Sequence, residues 1–277
     1  MTTHALEIQR GQRFEFGKNW QRFLSVLNDQ RIAEAEKSLR AMLETESLSG
    51  KSFLDIGSGS GLFSLAAMRL GAARVHSFDY DLGCVECTRE LKRRYFPDAG
   101  NWSIERGSVL EPPYLAGLGQ FDFVYCWGVL HYCGNMWQGM ENIVPLVACK
   151  GKLFIAIFND QGLVSELWLK IKSTYNRLPN GLKFLVLWPA FVRLWGPTMI
   201  RDLVLGRPFR TWRTYGERRG MSAWHDVVGW VGGYPCEVAK PEEILGFYKK
   251  RSFNLLKLKT CGGGHGCNEF LLMNCAE

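Results

Sequence analysis

Asp55 stands just ahead of Gly57-Ser58-Gly59-Ser60-Gly61, three glycines at alternate positions, and Asp79 closes the next apolar run. Glycine permits a positive φ, and its missing Cβ lets a ligand lie against the main chain. An acid at the mouth of such a turn repels a pyrophosphate and attracts an amino group. A second acid one strand away can accept two hydrogen bonds from vicinal hydroxyls. Further along, His131 with Tyr132 beside it, and His225 next to Asp226, could take a proton near neutral pH. Sequence neighbours point apart on a helix, so Asp226 is a weak partner for His225. His265, in a glycine loop, and His76, within a strand, read as structural. Cys84 and Cys87 have the spacing of a zinc or redox pair, but no second ligand pair matches it. No metal site is expected, and the two read as the flank of a helix.

The elements that must position these groups follow from the hydropathy pattern. Strands are expected over 53–57, 73–79, 102–106, 121–126 and 152–158, with helices over 61–70, 83–95 and 137–148. Strands alternating with helices imply a parallel sheet covered on both faces, with ligands at the carboxyl ends of the strands. Asp55, Asp79, Ser108 and Trp127 all fall at or just after those ends. The alternation stops after residue 162. Residues 163–239 carry tryptophans at 168, 188, 195, 212, 224 and 230 and an excess of arginine and lysine, and their helices are expected to break at Pro179, Pro189, Pro197 and Pro208. A helix from Pro241 and a hairpin of strands over 252–260 and 268–274 close the chain. At the other end, residues 1–13 are polar and expected to fray; aromatics cluster over 14–23, and 32–43 reads as an amphipathic helix. The expected division is a helical cap over 1–50, a core over 51–162 and 240–277, and a helical insert over 163–239 that serves as a substrate lid.

The stretches 55–61, 73–79, 121–131 and 151–157, in that order, resemble four motifs of the class I S-adenosylmethionine-dependent methyltransferases, in the manner of the ubiquinone-biosynthesis methylases. The dinucleotide fingerprint G-x-G-x-x-G would instead require glycine where Leu62 stands. The resemblance covers about residues 50–160 and 240–275. It implies an α/β fold, a seven-stranded doubly wound sheet of Rossmann-like type with an antiparallel last strand and a helical insert, and S-adenosyl-L-methionine as cofactor. It further implies that Asp55, Gly57, Ser58, Gly59 and Gly61 hold the methionine portion, Asp79 the ribose, and Tyr80 and Val109 the adenine. Ser108 stands where that family commonly has an acid. Cys126 and Trp127 would meet the amino group or the acceptor, and Phe16 and Trp20 would fold over the sulfonium. Methyl transfer needs chiefly an aligned acceptor, and His131, Tyr132 and His225 are the candidates for removing a proton from its O, N or C atom.

Composition narrows the partners. The 277 residues suffice for one large domain or a core with an elaborate insert, and a net charge of +7 suits an anionic partner. The expected acceptor is a small or lipid-like molecule, an anionic one included. DNA is not expected, and RNA is disfavoured because no recognisable binding module is present. The most apolar stretch, 184–192, is too short to span a bilayer and is interrupted by Pro189. Nine unevenly spaced cysteines and no N-terminal apolar segment argue for reduced thiols in a cytoplasm, while the basic, aromatic insert also suits the surface of a membrane. The rival readings are a non-catalytic cofactor-binding scaffold or sensor, a methyltransferase acting on RNA or on a membrane-associated anionic substrate, and a nicotinamide-dependent oxidoreductase.

Overall fold

In the computed structural model, which describes residues 3–217 and 219–276, seven strands form a single sheet. Strands β1 (Ser52–Ile56), β2 (Arg74–Asp79), β3 (Trp102–Arg106), β4 (Phe121–Trp127) and β5 (Val147–Phe158) run parallel in the spatial order β3-β2-β1-β4-β5. Strands β6 (Phe253–Lys259) and β7 (Cys267–Asn274) extend it as β5-β7-β6, with β7 antiparallel to both neighbours. The strand order reverses between β1 and β4, where Asp55 pairs in register with Tyr125. A crevice opens at such a reversal because the connecting helices leave in opposite directions.

Helices α1 (Thr3–Gln9), α2 (Phe16–Leu24) and α3 (Asp29–Leu43) precede the sheet, and α4 (Leu62–Arg69), α5 (Leu82–Tyr95), α6 (Pro112–Ala116) and α7 (Met136–Ile143) connect its parallel strands. The stretch between β5 and β6 holds α8 (Leu163–Arg177), α9 (Phe184–Val204), α10 (Arg210–Arg213), α11 (Ala223–Gly232) and α12 (Pro241–Lys249). Successive strand residues face opposite sides of the sheet. Phe53, Tyr125, Phe154 and Leu271 thus enter one core with Leu39, Leu65 and Leu91, while Leu54, Val124, Ile155 and Phe270 enter a second with Met140 and Ile244. A third core of Phe14, Trp168, Tyr175, Ala190, Val227 and Val231 joins the N-terminal segment to α8, α9 and α11.

Three local expectations give way. The N-terminus is helical: His4 is buried edge-on against Tyr80, and Arg13 bridges Glu7 and the carbonyls of Tyr132 and Cys133. Pro189 and Pro197 lie inside one continuous helix, α9. Both face solvent, so water can satisfy the carbonyls that their missing N–H groups release. Helix α7 stops at Ile143 because Pro145 sits in the tight turn 144–146, and β5 starts at Val147, inside the expected helix.

Candidate active site

The turn after β1 is fixed from both sides. Gly57 and Ser58 donate their N–H groups to the Phe78 carbonyl at 2.8 and 3.1 Å. Gly57 has φ +69°, and a Cβ there would fall 2.5 Å from Val129 Cγ2, so no other residue fits without displacing the β4 loop. Gly57→Ala is therefore expected to cost about 2–4 kcal/mol, the sum of a left-handed backbone penalty and overpacking. A fall in the thermal midpoint of the free protein would measure it. Gly61, at φ +80°, serves helix packing: a Cβ there would lie 2.7 Å from Thr88 Cα on α5.

Asp55 ends a buried relay. Trp102 Nε1 donates to Ser77 Oγ at 2.9 Å, Ser77 Oγ donates to Ser64 Oγ at 2.8 Å, and Ser64 Oγ donates to the Asp55 carboxylate in a short hydrogen bond. Burial raises Asp55 to about 7, and Ser64 opposes the shift only in part. Asp79 accepts the Gly59 N–H and the Asp81 N–H, each at 2.9 Å, and burial raises it to about 6. Among the described residues neither carboxylate has a cationic partner within ion-pair distance. Both remain available to a ligand. The next acid, Asp81, holds the cap: Gly17 at the start of α2 donates its N–H to Asp81 Oδ2 at 2.7 Å, and α2 and α5 approach so closely that a Cβ on Gly17 would lie 2.7 Å from Gly83 Cα.

A cavity of about 1000 Å³ runs from this turn along the ends of the strands. Asp55, Gly57, Ser58 and Gly59 line its mouth, Asp79 and Tyr80 the end of β2, and Ser108 and Val109 the end of β3. Trp20 roofs the turn, its Nε1 3.0 Å from where a Gly59 Cβ would stand, and Phe16 lines the same wall. Trp127 lies beyond. Two of the sequence candidates do not reach the cavity: Gly61 packs on α5, and Cys126 is fully buried in the core on the opposite face of β4. Strand period explains the second, because Tyr125 and Trp127 share one face and Cys126 must take the other.

His131, Tyr132 and His225 also line the cavity, Tyr132 with its ring centroid 5.2 Å from that of Phe16. His131 stacks on Phe158 with ring centroids 3.9 Å apart, and burial with the nearby Lys172 cation depresses it to about 3. It therefore stays neutral across the physiological range. His225 Nδ1 lies 2.9 Å from Ser222 Oγ, while Asp226 turns away from it to accept the Tyr215 hydroxyl at 2.8 Å. Burial also raises Asp226 above the usual carboxylate range.

One functional group escapes sequence reasoning. The Arg219 guanidinium, carried by the stretch before α11, lies 3.4 Å from the centroid of the Trp127 ring and 5.3 Å from that of Phe63. Its Nε and the facing Tyr125 hydroxyl are buried without a well-formed hydrogen bond, and Arg219 has no ion pair among the described residues. It stands in a stretch rich in arginines and carries no local mark in the sequence.

A family model described as ribosomal protein L11 methyltransferase matches residues 36–94, from α3 to α5. Two curated relatives from Prochlorococcus marinus, both named ribosomal protein L11 methyltransferase, are 39% identical over 84 residues and 41% identical over 114. These alignments take in 30% and 41% of the chain and only 28% and 37% of the relatives, so the chain spans well under half the length of the curated proteins it matches. Among solved structures, the N-methyltransferase NodS from Bradyrhizobium japonicum in complex with S-adenosyl-L-homocysteine superposes with a TM-score of 0.51 at 14% identity, covering 95% of this chain and 100% of that one. The fold expected from the sequence is thereby borne out. The expected small or lipid-like acceptor is not: both curated relatives are named for a protein acceptor, and that finding overturns it.

Proposed function

We propose that this chain, which shares the fold of an S-adenosylhomocysteine-bound N-methyltransferase, transfers a methyl group from S-adenosyl-L-methionine to a nitrogen atom of a protein. Bound in the crevice, the cofactor supplies an activated methyl on a sulfonium. The cavity fits such a group: two carboxylates without a cationic partner, the glycine turn beneath Trp20 and an unpaired guanidinium line one continuous space. Asp79 has lone pairs left for ribose hydroxyls after accepting its two backbone N–H groups. Asp55 offers its carboxylate to the ammonium of the methionine portion, and Arg219, its guanidinium spread over Trp127 beside Tyr125 and Phe63, is the matching cation for the carboxylate. Tyr80 and Val109 flank the base, and Phe16 and Trp20 exclude water from above.

The two raised carboxyls give this reading a pH signature. A bound ammonium and bound hydroxyls favour the ionised forms of Asp55 and Asp79, whereas the free protein holds protons there below about 7 and about 6. Binding must release protons. Affinity for S-adenosylhomocysteine is expected to fall by up to about tenfold per pH unit for each protonated group as pH drops from 7.5 to 5.5. Calorimetry in buffers of different ionisation enthalpy would detect it. The melting temperature is a poorer gauge, because His131, held at about 3 in the fold, loses stability for the protein as pH falls below its unfolded value. That opposes the two carboxyls, which destabilise the free fold as pH rises toward 7.

The observation that carries the nitrogen acceptor is the make-up of the cavity lining, where the carboxylates of Asp226 and Glu269 occur with the aromatic side chains of Trp127, Tyr132, Phe158 and Trp230, Glu269 also accepting the Trp127 Nε1–H and pairing with Lys259. Aromatic faces and acids together suit an alkylammonium side chain. His225, neutral because burial lowers it, is the better-placed proton acceptor, and His131, depressed to about 3, would orient through Tyr132 instead. The test is incubation of the chain with methyl-labelled S-adenosylmethionine and a ribosomal protein fraction. Label in an acid-stable methylated amine of a polypeptide is the expected result; label confined to the lipid or small-molecule extract would overturn the reading.

A further inference from the structure

Among the described residues, fourteen of the twenty-one large apolar side chains that stand exposed lie within 163–209. They are not scattered. On α9, Leu185, Trp188, Val192, Ile200 and Val204 recur at helical spacing along one exposed stripe, each more than half accessible, over a helix about 31 Å long. Arg193 and Arg201 are exposed on the same helix, each about 100° around its axis from the apolar residue that precedes it, so they flank the stripe. A monomer rarely leaves so much contiguous apolar surface to water without a use for it.

The charge of the same region says what the use is. Residues 163–213 contain nine lysines and arginines against two acids, a net of +7, which equals the net charge of the whole chain. One of the two acids, Asp202, is buried and accepts the Thr211 N–H and hydroxyl at 2.7 and 2.8 Å, and one of the nine cations, Lys172, is buried and donates to the Trp230 carbonyl, which leaves eight cations against one acid outside the core. No helix among the described residues is long and apolar enough to cross a membrane. Apolar residues flanked by cations on one exposed helix, without the sustained apolar character to span, are the chemistry of a segment that lies in the plane of a bilayer with its arginines among anionic headgroups. A second copy of the chain would bring two such cationic faces together. A nucleic acid would neutralise the arginines but leave the leucines and valines in water.

We infer that the outer face of α8 and α9 docks this protein on an anionic lipid surface, independently of the reaction carried out in the cavity. Flotation of the full chain with vesicles of equimolar phosphatidylglycerol and phosphatidylcholine, against phosphatidylcholine alone, tests this. Binding to the anionic vesicles only, weakening with added salt, is expected. The pairs Val192→Glu with Ile200→Glu, and Arg193→Glu with Arg201→Glu, should each lower it roughly tenfold or more. Both pairs change exposed side chains, and unchanged far-UV dichroism and melting would show that they fold. Three results would overturn the inference: wild-type protein that does not float with anionic vesicles, variants that float equally well, or a dimer in sedimentation velocity that Val192→Glu with Ile200→Glu dissolves.

Discussion

Asp79→Ala is expected to weaken S-adenosylhomocysteine binding by about a hundredfold or more, with little change in the overall fold. Hydrogen bonds to a charged acceptor contribute about 1.5–3 kcal/mol each, and two ribose hydroxyls would lose theirs together. The substitution also strands the Gly59 and Asp81 N–H groups that Asp79 accepts, loosening the turn that faces the ligand. Asp79→Asn separates the two effects. It keeps one carbonyl oxygen for a backbone donor but presents an amide N–H to the other, so binding should still fall steeply while melting stays closer to wild type. Calorimetry on both variants measures this; unchanged affinity in Asp79→Ala would remove the carboxylate from the ribose site.

Arg219→Met should have the second largest effect and the more selective one. A methionine preserves much of the packing over Trp127 but removes the cavity's unpaired cation. If that cation meets the carboxylate of the methionine portion, affinity for S-adenosylhomocysteine drops by about 10- to 100-fold, the magnitude of a charge-assisted hydrogen bond. The decarboxylated analogue, which offers no partner, should bind wild type and variant alike. Equal loss for both ligands would mean that Arg219 acts through the shape of the wall. No loss for either would take it out of the cofactor site.

The sequence displayed the core of this fold because local and global signals agree there. Apolar runs of strand length, glycines where φ must be positive, and acids at strand ends are each readable without neighbours. The closing hairpin was legible for the same reason. What could not be read depends on partners distant in sequence. Residues 1–13 look polar and loose until Arg13 finds carbonyls more than a hundred positions away. Pro189 and Pro197 signal breaks until solvent on the exposed side of α9 is allowed to satisfy their carbonyls. Cys126 and Trp127 are adjacent in sequence but take opposite faces of β4, a separation that strand alternation makes legible in the sequence itself. Arg219 has no local mark at all: it meets Trp127 only because the fold carries the stretch before α11 onto that ring.

The contact between α2 and α5 sets a condition on turnover. With the Gly17 N–H bound to Asp81 and the two helices touching backbone to backbone at Gly17 and Gly83, Phe16 and Trp20 are held against the crevice. If spent cofactor leaves by that side, the contact of Gly17 with Asp81 must part first; the cadence of successive reactions would then follow how often the N-terminal segment lifts, and a tighter latch there would slow exchange while leaving the chemical step alone.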